Sequence, residues 1–415
     1  MPFLLMTFIM QRNFKLLAWA TLANGTCFSM ILPLLAPLIR QLHLTELQGG
    51  MIVSAGAICM AIASIFIAKH QKIQTPYQLM NYGFWGMTIT WAIFTLILYF
   101  GINQSLAPVA IFILLILSRA STGAFMAMPQ IGLQSYVMQH VIDTEQRSQK
   151  MAMYGAMNSL GMIIGPFVTS ILLLGGILLS MWVAVIVLMI FSVLLTVFFH
   201  KDTIAQINSI QQQSLKDEST AFSIKPALPW LILGFSTYMA IVTLNMTAGF
   251  YIQDRFQLNI QQSASYFSQC MLIVGFSLVL TQIVIVKIVK LSLHALVGLG
   301  ITAMLAGLLL SLNADQIIFF QASYILYGIG VASLLPAFTT GAAQSVSQNA
   351  QIKMASLCTA IQALGLIVAP LLSTFLYRYA INLPFYLLGV LMLSVGLYLA
   401  WILMLQNKTS TKLVI

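Results

Sequence analysis

The sequence carries very little charge for its length. Only 6% of its 415 residues are Asp, Glu, Lys or Arg, whereas 60% are hydrophobic. A water-soluble domain typically has about 25% charged residues, so this composition excludes an ordinary soluble globular protein. It indicates a chain whose solvent is lipid.

Acidic residues are the scarcest charged type, with eight against eighteen Lys and Arg. All eight fall in predicted loops or at the ends of apolar runs. They are Glu46, Asp143, Glu145, Asp202, Asp217, Glu218, Asp254 and Asp315. A membrane enzyme needs clustered nucleophilic, acidic and basic groups, and the absence of acids inside the apolar runs argues against that class.

Clustered metal ligands and nucleotide-binding glycines are also absent from the sequence pattern. The four cysteines stand singly in apolar runs and the five histidines lie near their ends, so neither a disulfide nor a metal site is expected. No Gly-x-x-x-x-Gly-Lys-Ser/Thr segment occurs, which disfavours ATP-driven pumping. We therefore expect no cofactor.

What the chain has instead is a series of long apolar runs. A spanning helix needs roughly 20 apolar residues, whereas the strands of a membrane barrel would alternate apolar and polar residues. Trp182–Phe199 and Leu383–Leu405 are apolar on all sides. The pattern predicts an all-α membrane protein with twelve transmembrane helices, at 14–38, 47–68, 78–101, 107–136, 151–175, 178–199, 227–251, 263–286, 294–313, 317–343, 355–377 and 383–405.

The basic residues predict the orientation. With the N-terminus inside, fourteen Lys and Arg lie on the cytoplasmic side and only Arg40, Arg255 and Arg378 lie outside. This asymmetry explains the net charge of +10 through topology and anionic lipid, without a nucleic-acid partner. It predicts a multi-pass protein of a bacterial inner membrane with both termini cytoplasmic. Residues 1–13 are apolar up to Arg12, the first basic residue. This order is wrong for a cleaved signal, so the first span is expected to serve as an uncleaved one.

The chain also divides into two similar halves. The hydrophilic stretch 200–226 predicts a cytoplasmic linker between two six-helix bundles, 1–199 and 227–415. Segment 158–172 matches 362–376 without a gap, and 35–45 has a looser echo in 249–259. Such repeats predict two pseudo-symmetric bundles with a substrate site at the membrane midplane between them.

Arg119 is the only charge predicted to lie deep inside a span. A charge at that depth costs at least ~3 kcal/mol, so it normally faces a wet cavity or a partner. Its planar guanidinium suits a carboxylate, which favours a role in substrate binding or coupling. The alternative is a structural anchor that hydrogen-bonds backbone carbonyls of span one.

Other polar and small residues in the spans are weaker candidates. Gly155, Gly161 and Gly165 share one face of span five and let a neighbouring helix approach closely, while Pro166 bends that span. Asn158 and Gln362 occupy matching repeat positions, as ligand contacts or, by a small preference, as polar contacts between helices. Asp254 and Arg255 could form an outer gate, although a solvated loop pair is the simpler interpretation. Candidates for the cavity wall are Asn24, Tyr238, Asn245, Gln269, Tyr324 and Tyr327.

These motifs resemble the major facilitator superfamily, and within it the branch of proton-coupled drug exporters. Arg119-x-x-x-Gly123 stands in span four, and a glycine-rich span five ends in Gly165-Pro166. The resemblance implies a twelve-helix transporter that works by alternating access and exports its substrate. Two features depart from the family pattern. Lys69 replaces the acid in the loop between spans two and three, which in the family helps to close the cytoplasmic side, so this closure must be weaker or built otherwise. Many multidrug antiporters also keep a carboxylate inside span one, whereas span one of this chain has neutral residues such as Asn24.

A cavity with a fixed cation and no buried anion disfavours cationic solutes, because nothing offsets their desolvation. We therefore expect a monomeric, proton-linked exporter of small amphipathic neutral or anionic compounds, drugs or metabolites such as a carboxylate siderophore. The coupled proton would ride on Glu46, Asp254, a histidine or the substrate itself. A proton-coupled importer or facilitator of an organic anion, and a non-transporting sensor on the same fold, remain alternatives.

Overall fold

The computed structural model describes residues 2–69, 75–103, 107–140, 144–199, 224–289, 291–346 and 351–412. Within these ranges the chain forms α-helices with short 3-10 and π turns, and no strand. The helices are α1 Pro2–Met30, α2 Leu32–Gln41, α3 Glu46–Lys69, α4 Pro76–Ile102, α5 Pro108–His140, α6 Thr144–Leu172, α7 Ile177–Phe198, α8 Leu228–Arg255, α9 Ile260–Val284, α10 Leu293–Leu312, α11 Ile317–Gln344, α12 Gln351–Tyr379 and α13 Leu383–Lys412.

Most of these helices are long and apolar enough to cross a membrane. Ten pass that test within the described residues, and the bent pair α1–α2 makes an eleventh span if it is counted as one. In α6 only the shorter stretch Leu160–Thr169 qualifies as an apolar helix among the described residues. The all-α membrane fold predicted from the sequence is confirmed, and the count of twelve spans stays a prediction.

The first span is not the single helix that hydropathy predicts over 14–38. The helix already begins at Pro2, is interrupted at Ile31 and resumes as α2; the two pieces are bent by 43°. Pro33 occupies the first turn of α2, and a proline has no N–H with which to continue the helical hydrogen bonds. The N–H of Leu34 instead bonds the Ile31 carbonyl oxygen at 3.0 Å.

The chain forms two compact units, Met1–Ser219 and Thr220–Ile415. In the first, α1 packs on α6, α3 and α4 pack on α5, and α7 packs on α4. In the second, α8 packs on α12, α9 and α10 pack on α11, and α13 packs on α10. The same order of partners therefore recurs in each unit. Most of the predicted linker, 200–223, lies outside the described residues.

The turn after the first span of each unit repeats in detail. His43 and Gln257, which correspond in the loose sequence repeat, are the two non-glycine residues of the described chain with positive φ, at 54° and 53°. Two residues later, the side chains of Thr45 and Asn259 accept hydrogen bonds from the backbone N–H groups of Gln48 and Gln262. The backbone N–H groups of Thr45 and Asn259 in turn donate to the side-chain oxygens of the same glutamines. This capping box satisfies the first N–H groups of α3 and α9, so the weak repeat in sequence is a close repeat in structure.

Candidate functional site

Arg119 lies on α5 at the point where this helix comes closest to α3. A Cβ atom added to Gly123 would lie 2.7 Å from the carbonyl carbon of Gly56 and 2.9 Å from its Cα, so the two backbones are in contact. A Cβ added to Gly56 would lie 3.2 Å from Cγ of Arg119. The missing side chains at Gly56 and Gly123 thus fix the stem of Arg119 against α3.

The guanidinium of Arg119 is held by aromatic rings. Its Cζ lies 5.4 Å from the ring centroid of Phe28 on α1 and 5.5 Å from that of Trp91 on α4. Attraction between a cation and an aromatic face is worth up to about 2 kcal/mol per contact when the pair is desolvated. The rings therefore stabilise the charge without neutralising it.

Arg119 has no charged or hydrogen-bonding partner among the described residues. The residue as a whole is only 5% exposed. Its side-chain nitrogens are nevertheless not among the polar atoms that are fully enclosed and lack a hydrogen-bond partner. The guanidinium therefore still reaches accessible space. The described carbonyls of α1 do not accept a hydrogen bond from it, and its contact with span one among the described residues is made by the Phe28 ring.

Asn24 belongs to the same wall of the first unit. It precedes Phe28 by one helical turn, which puts the two side chains on one face of α1. Asn24 is buried and, in the described part of the chain, has no hydrogen-bond partner. Arg119, Asn24, Phe28 and Trp91 are called the Arg119 cluster below. Phe28 and Trp91 were not singled out from the sequence, because one sequence does not reveal how each span is rotated.

The glycine face of α6 lies against α1. A Cβ on Gly161 would collide with the carbonyl oxygen of Leu22, and one on Gly165 with Oγ of Ser29. The hydroxyl of Thr169 donates to the Met30 carbonyl oxygen at 2.9 Å, just before the bend of span one. Pro166 is buried in this face. The surroundings of Gly155 lie outside the described residues.

The two amides at matching repeat positions are both half-buried. Asn158 is half-buried, and its Oδ1 would be 3.0 Å from a Cβ added to Gly25. Its amide nitrogen lies 4.0 Å from the sulfur of Met162 on the same helix, a weak contact. Gln362 is half-buried. In the described part of the chain neither amide hydrogen-bonds a neighbouring helix.

Tyr238 and Asn245 lie on one face of α8 in the second unit. The Tyr238 ring meets Phe338 edge-on with 6.4 Å between centroids, and its Cβ would be 2.8 Å from a Cβ on Gly365. Its hydroxyl has no partner within the described residues and is not fully enclosed. The Oδ1 atom of Asn245 is enclosed and lacks a partner.

Tyr327 is part of the core of the second unit. It is 1% exposed, and its hydroxyl lies 2.7 Å from Oγ of Ser311, which also donates to Oγ of Ser323 at 2.7 Å. The neighbouring Tyr324 is equally buried, but its hydroxyl is enclosed without a partner. Tyr327 therefore joins α10 to α11, and its hydroxyl is already occupied.

Gln269 occupies an exposed position on α9. Its Oε1 accepts a hydrogen bond of 2.7 Å from the buried Gln321. Gln269 shares a helical row with Phe276, which is 70% exposed. The structure thus gives Gln269 one protein partner and an apolar neighbourhood along its own helix.

Asp254 and Arg255 contact side chains of different residues. Asp254 Oδ2 accepts a hydrogen bond of 2.7 Å from the hydroxyl of Tyr377 on α12. Arg255 lies 3.5 Å from Asp315, whose side chain is 91% exposed. Exposed ion pairs of this kind contribute about 0–1 kcal/mol, so Arg255 and Asp315 form a weak pair at the surface.

Comparison with known proteins agrees with the geometry of the fold. The profile of the Major Facilitator Superfamily matches residues 17–318. The structure is similar to the human organic anion transporter MFSD10 (TETRAN), with 16% identity, a TM-score of 0.64, and coverage of 94% of this chain and 99% of that one.

Two further solved structures are similar over comparable lengths. A point mutant of the nucleoside transporter NupG has 13% identity, a TM-score of 0.66, and coverage of 94% and 98%. A bacterial homologue of the human lysosomal transporter Spinster, inward-facing and occupied, has 14% identity, a TM-score of 0.67, and coverage of 93% and 94%. No curated protein matches the sequence.

At these identities the solved structures establish the fold alone, whereas the profile covers most of the chain. The protein is a multi-pass membrane transporter for a small molecule and not an enzyme, and it belongs to the Major Facilitator Superfamily.

Proposed function

We propose that this transporter is a proton-linked exporter of small amphipathic organic compounds that are neutral or anionic, such as drugs or carboxylate-bearing metabolites of the siderophore type. The observation that carries the proposal is the Arg119 cluster, in which a buried cation has aromatic neighbours and no counter-charge among the described residues.

The energetics of the cluster support an anion site. Burying an arginine at the centre of a membrane helix costs about 3 kcal/mol. Two cation–π contacts of about 1–2 kcal/mol each offset most of that cost. Because the rings leave the positive charge in place, an incoming carboxylate gains a strong attraction. An incoming cation meets repulsion that no acid among the described neighbours of Arg119 relieves.

The surroundings of the charge indicate what else the substrate carries. A carboxylate can bind the guanidinium through two parallel hydrogen bonds. The half-buried Phe28 offers aromatic surface to an apolar body, and Asn24 offers an amide that can donate or accept. The buried Trp91 contributes its cation–π contact with the guanidinium. Together they favour a carboxylate attached to an apolar or aromatic group. The human organic anion transporter shares only the fold with this chain, so the proposal depends on the Arg119 cluster.

The proton would travel on a carboxylate at a span end or on the substrate. Glu46 pairs with Arg40 at 2.7 Å, and Asp254 accepts from Tyr377. The export direction follows from the resemblance of the span-four and span-five motifs to the drug-exporter branch.

The cellular setting is also part of the proposal. The excess of Lys and Arg in the predicted inner loops supports cytoplasmic termini in a bacterial inner membrane. We propose that the monomer is the working unit, because the Arg119 cluster is built from one chain.

The test is solute-driven proton flux in liposomes that contain a pH dye, with matched panels of anionic, neutral and cationic solutes. An anionic or neutral solute should evoke proton movement opposite to its own, and Arg119→Gln should abolish it. Arg378→Gln is the matched control, because Arg378 is exposed in the other unit and should leave flux unchanged. Proton movement in the same direction as the solute would establish import instead. Flux evoked only by cations would refute the substrate class.

A further inference from the structure

The second unit contains a crevice that the transport proposal does not use. It opens between the start of α8, the start of α10 and the end of α13, and has about 440 Å³ of space when the open solvent at its mouth is included. The residues that line it are Pro226, Pro229, Trp230, His294, Val297, Leu399 and Ile402.

The crevice lies at the level where the helices leave the membrane. The apolar spans run from Lys225 to Arg255, from Leu293 to Leu312 and from Leu383 to Ile402. Trp230 is one to two turns into the first span, His294 is at the start of the second, and Ile402 is the last residue of the third. A tryptophan at this level is typical of the boundary between hydrocarbon and head groups.

The floor and the rim of the crevice have different chemistry. Val297 and Leu399 are buried and apolar, and Ile402 is half-buried beside them. His294 at the rim is exposed, as is Lys225, which directly precedes the lining residue Pro226. None of the described lining residues is acidic. The site is thus apolar inside and basic at its mouth.

Trp230 is held so that its indole N–H is available. A Cβ added to Gly341 on α11 would collide with the indole ring, so the ring packs directly on the backbone of that helix. Within the described chain the indole nitrogen has no hydrogen-bond partner, and it is not among the fully enclosed polar atoms. The crevice is therefore lined by a tryptophan whose ring is held in place and whose N–H is a free donor within the described residues.

We propose that this crevice binds an anionic phospholipid. The phosphate would lie at the rim, near Lys225, His294 and the Trp230 N–H, and an acyl chain would lie along Val297 and Leu399. Charge complementarity favours an anionic head group over a zwitterionic one, whose amine cancels the phosphate charge. The apolar floor favours a lipid over a free phosphate ester, which would leave that surface uncovered.

The test is native mass spectrometry of the full-length protein in detergent, titrated separately with dioleoyl phosphatidylglycerol and dioleoyl phosphatidylcholine. Phosphatidylglycerol should bind more tightly, and Lys225→Gln should weaken it about fivefold, the effect expected for one basic residue at a membrane surface. Lys15→Gln is the matched control: it removes the same charge from an exposed position in the first unit and should leave the affinity unchanged.

Two variants test the crevice apart from its charge. Val297→Trp should fill the floor and abolish tight phosphatidylglycerol binding. Trp230→Phe keeps an aromatic ring at this position, removes the N–H together with part of the indole, and should weaken binding even if Val297→Trp fails to fold. Equal affinity for the two lipids, unchanged phosphatidylglycerol binding by the crevice variants, or displacement of the lipid by glycerol 3-phosphate would each overturn the proposal. Because binding is read without transport, the outcome is independent of the proposed function.

Discussion

The contact between Gly123 and Gly56 should be sensitive to a single added methyl group. In Gly123→Ala the new Cβ would lie 2.7 Å from the Gly56 carbonyl carbon and 2.9 Å from its Cα. Carbon atoms pack best at about 3.5–4.0 Å. The atoms in the way belong to the Gly56 backbone and cannot rotate aside, so α3 and α5 must separate by about 1 Å. A gap of that size removes a quarter to a half of the dispersion energy of the atom pairs that it separates.

The net effect combines this loss with a local gain. Overpacking of a closed interface costs about 1–3 kcal/mol, while alanine is favoured over glycine inside a helix by about 1 kcal/mol. We expect Gly123→Ala to lower the free energy of unfolding by up to about 2 kcal/mol. Transport should fall as well, because the same displacement moves the stem of Arg119 away from α3.

The assay is thermal unfolding of the purified protein in detergent, with Gly298→Ala as the control. Gly298 lies inside α10 with no atom within 4 Å of an added Cβ, so this variant should gain up to about 1 kcal/mol from helix propensity alone. A Tm for Gly123→Ala at or above that of Gly298→Ala would refute the packing argument.

Two further predictions concern stability and use the same unfolding assay. Ser311→Ala should lower the free energy of unfolding by about 1–3 kcal/mol, because it removes the hydroxyl that hydrogen-bonds the buried Tyr327. Tyr324→Phe removes a buried hydroxyl that has no hydrogen-bond partner, so this variant should be neutral or stabilising. The reverse order of these two variants would contradict the hydrogen-bond assignment. Asn259→Ala should cost about 1 kcal/mol through loss of the cap of α9, and an unchanged Tm would mean that this capping box contributes nothing.

The positions of the helices within the described residues were predictable, because long apolar runs form helices in a membrane, and most helix ends lie within a few residues of the predicted span ends. The break at Ile31 was not predictable in the same way. Pro33 sits in an uninterrupted apolar run, and hydropathy does not distinguish a proline that kinks a helix from one that begins a new helix. The chain resolves this in favour of a new helix, bent by 43°.

The sequence predicts that Arg119 is buried, but it does not predict which residues surround it. Phe28 and Trp91 belong to separate spans, and the rotation of each span depends on packing that a single sequence does not encode in readable form. Tyr327 shows that the sequence also does not reveal which polar residues of a span face the core. It was a candidate for the cavity wall, but Ser311, on the preceding helix, holds its hydroxyl in the core.

The most direct test of the account compares transport of an aromatic carboxylate with that of its neutral amide, in liposomes containing native protein, Arg119→Lys or Arg119→Gln. The account predicts that native protein prefers the carboxylate, that Arg119→Lys weakens this preference because the planar fork is lost, and that Arg119→Gln abolishes it. A carboxylate preference that survives intact in Arg119→Gln would contradict the assignment of Arg119 as the anion site.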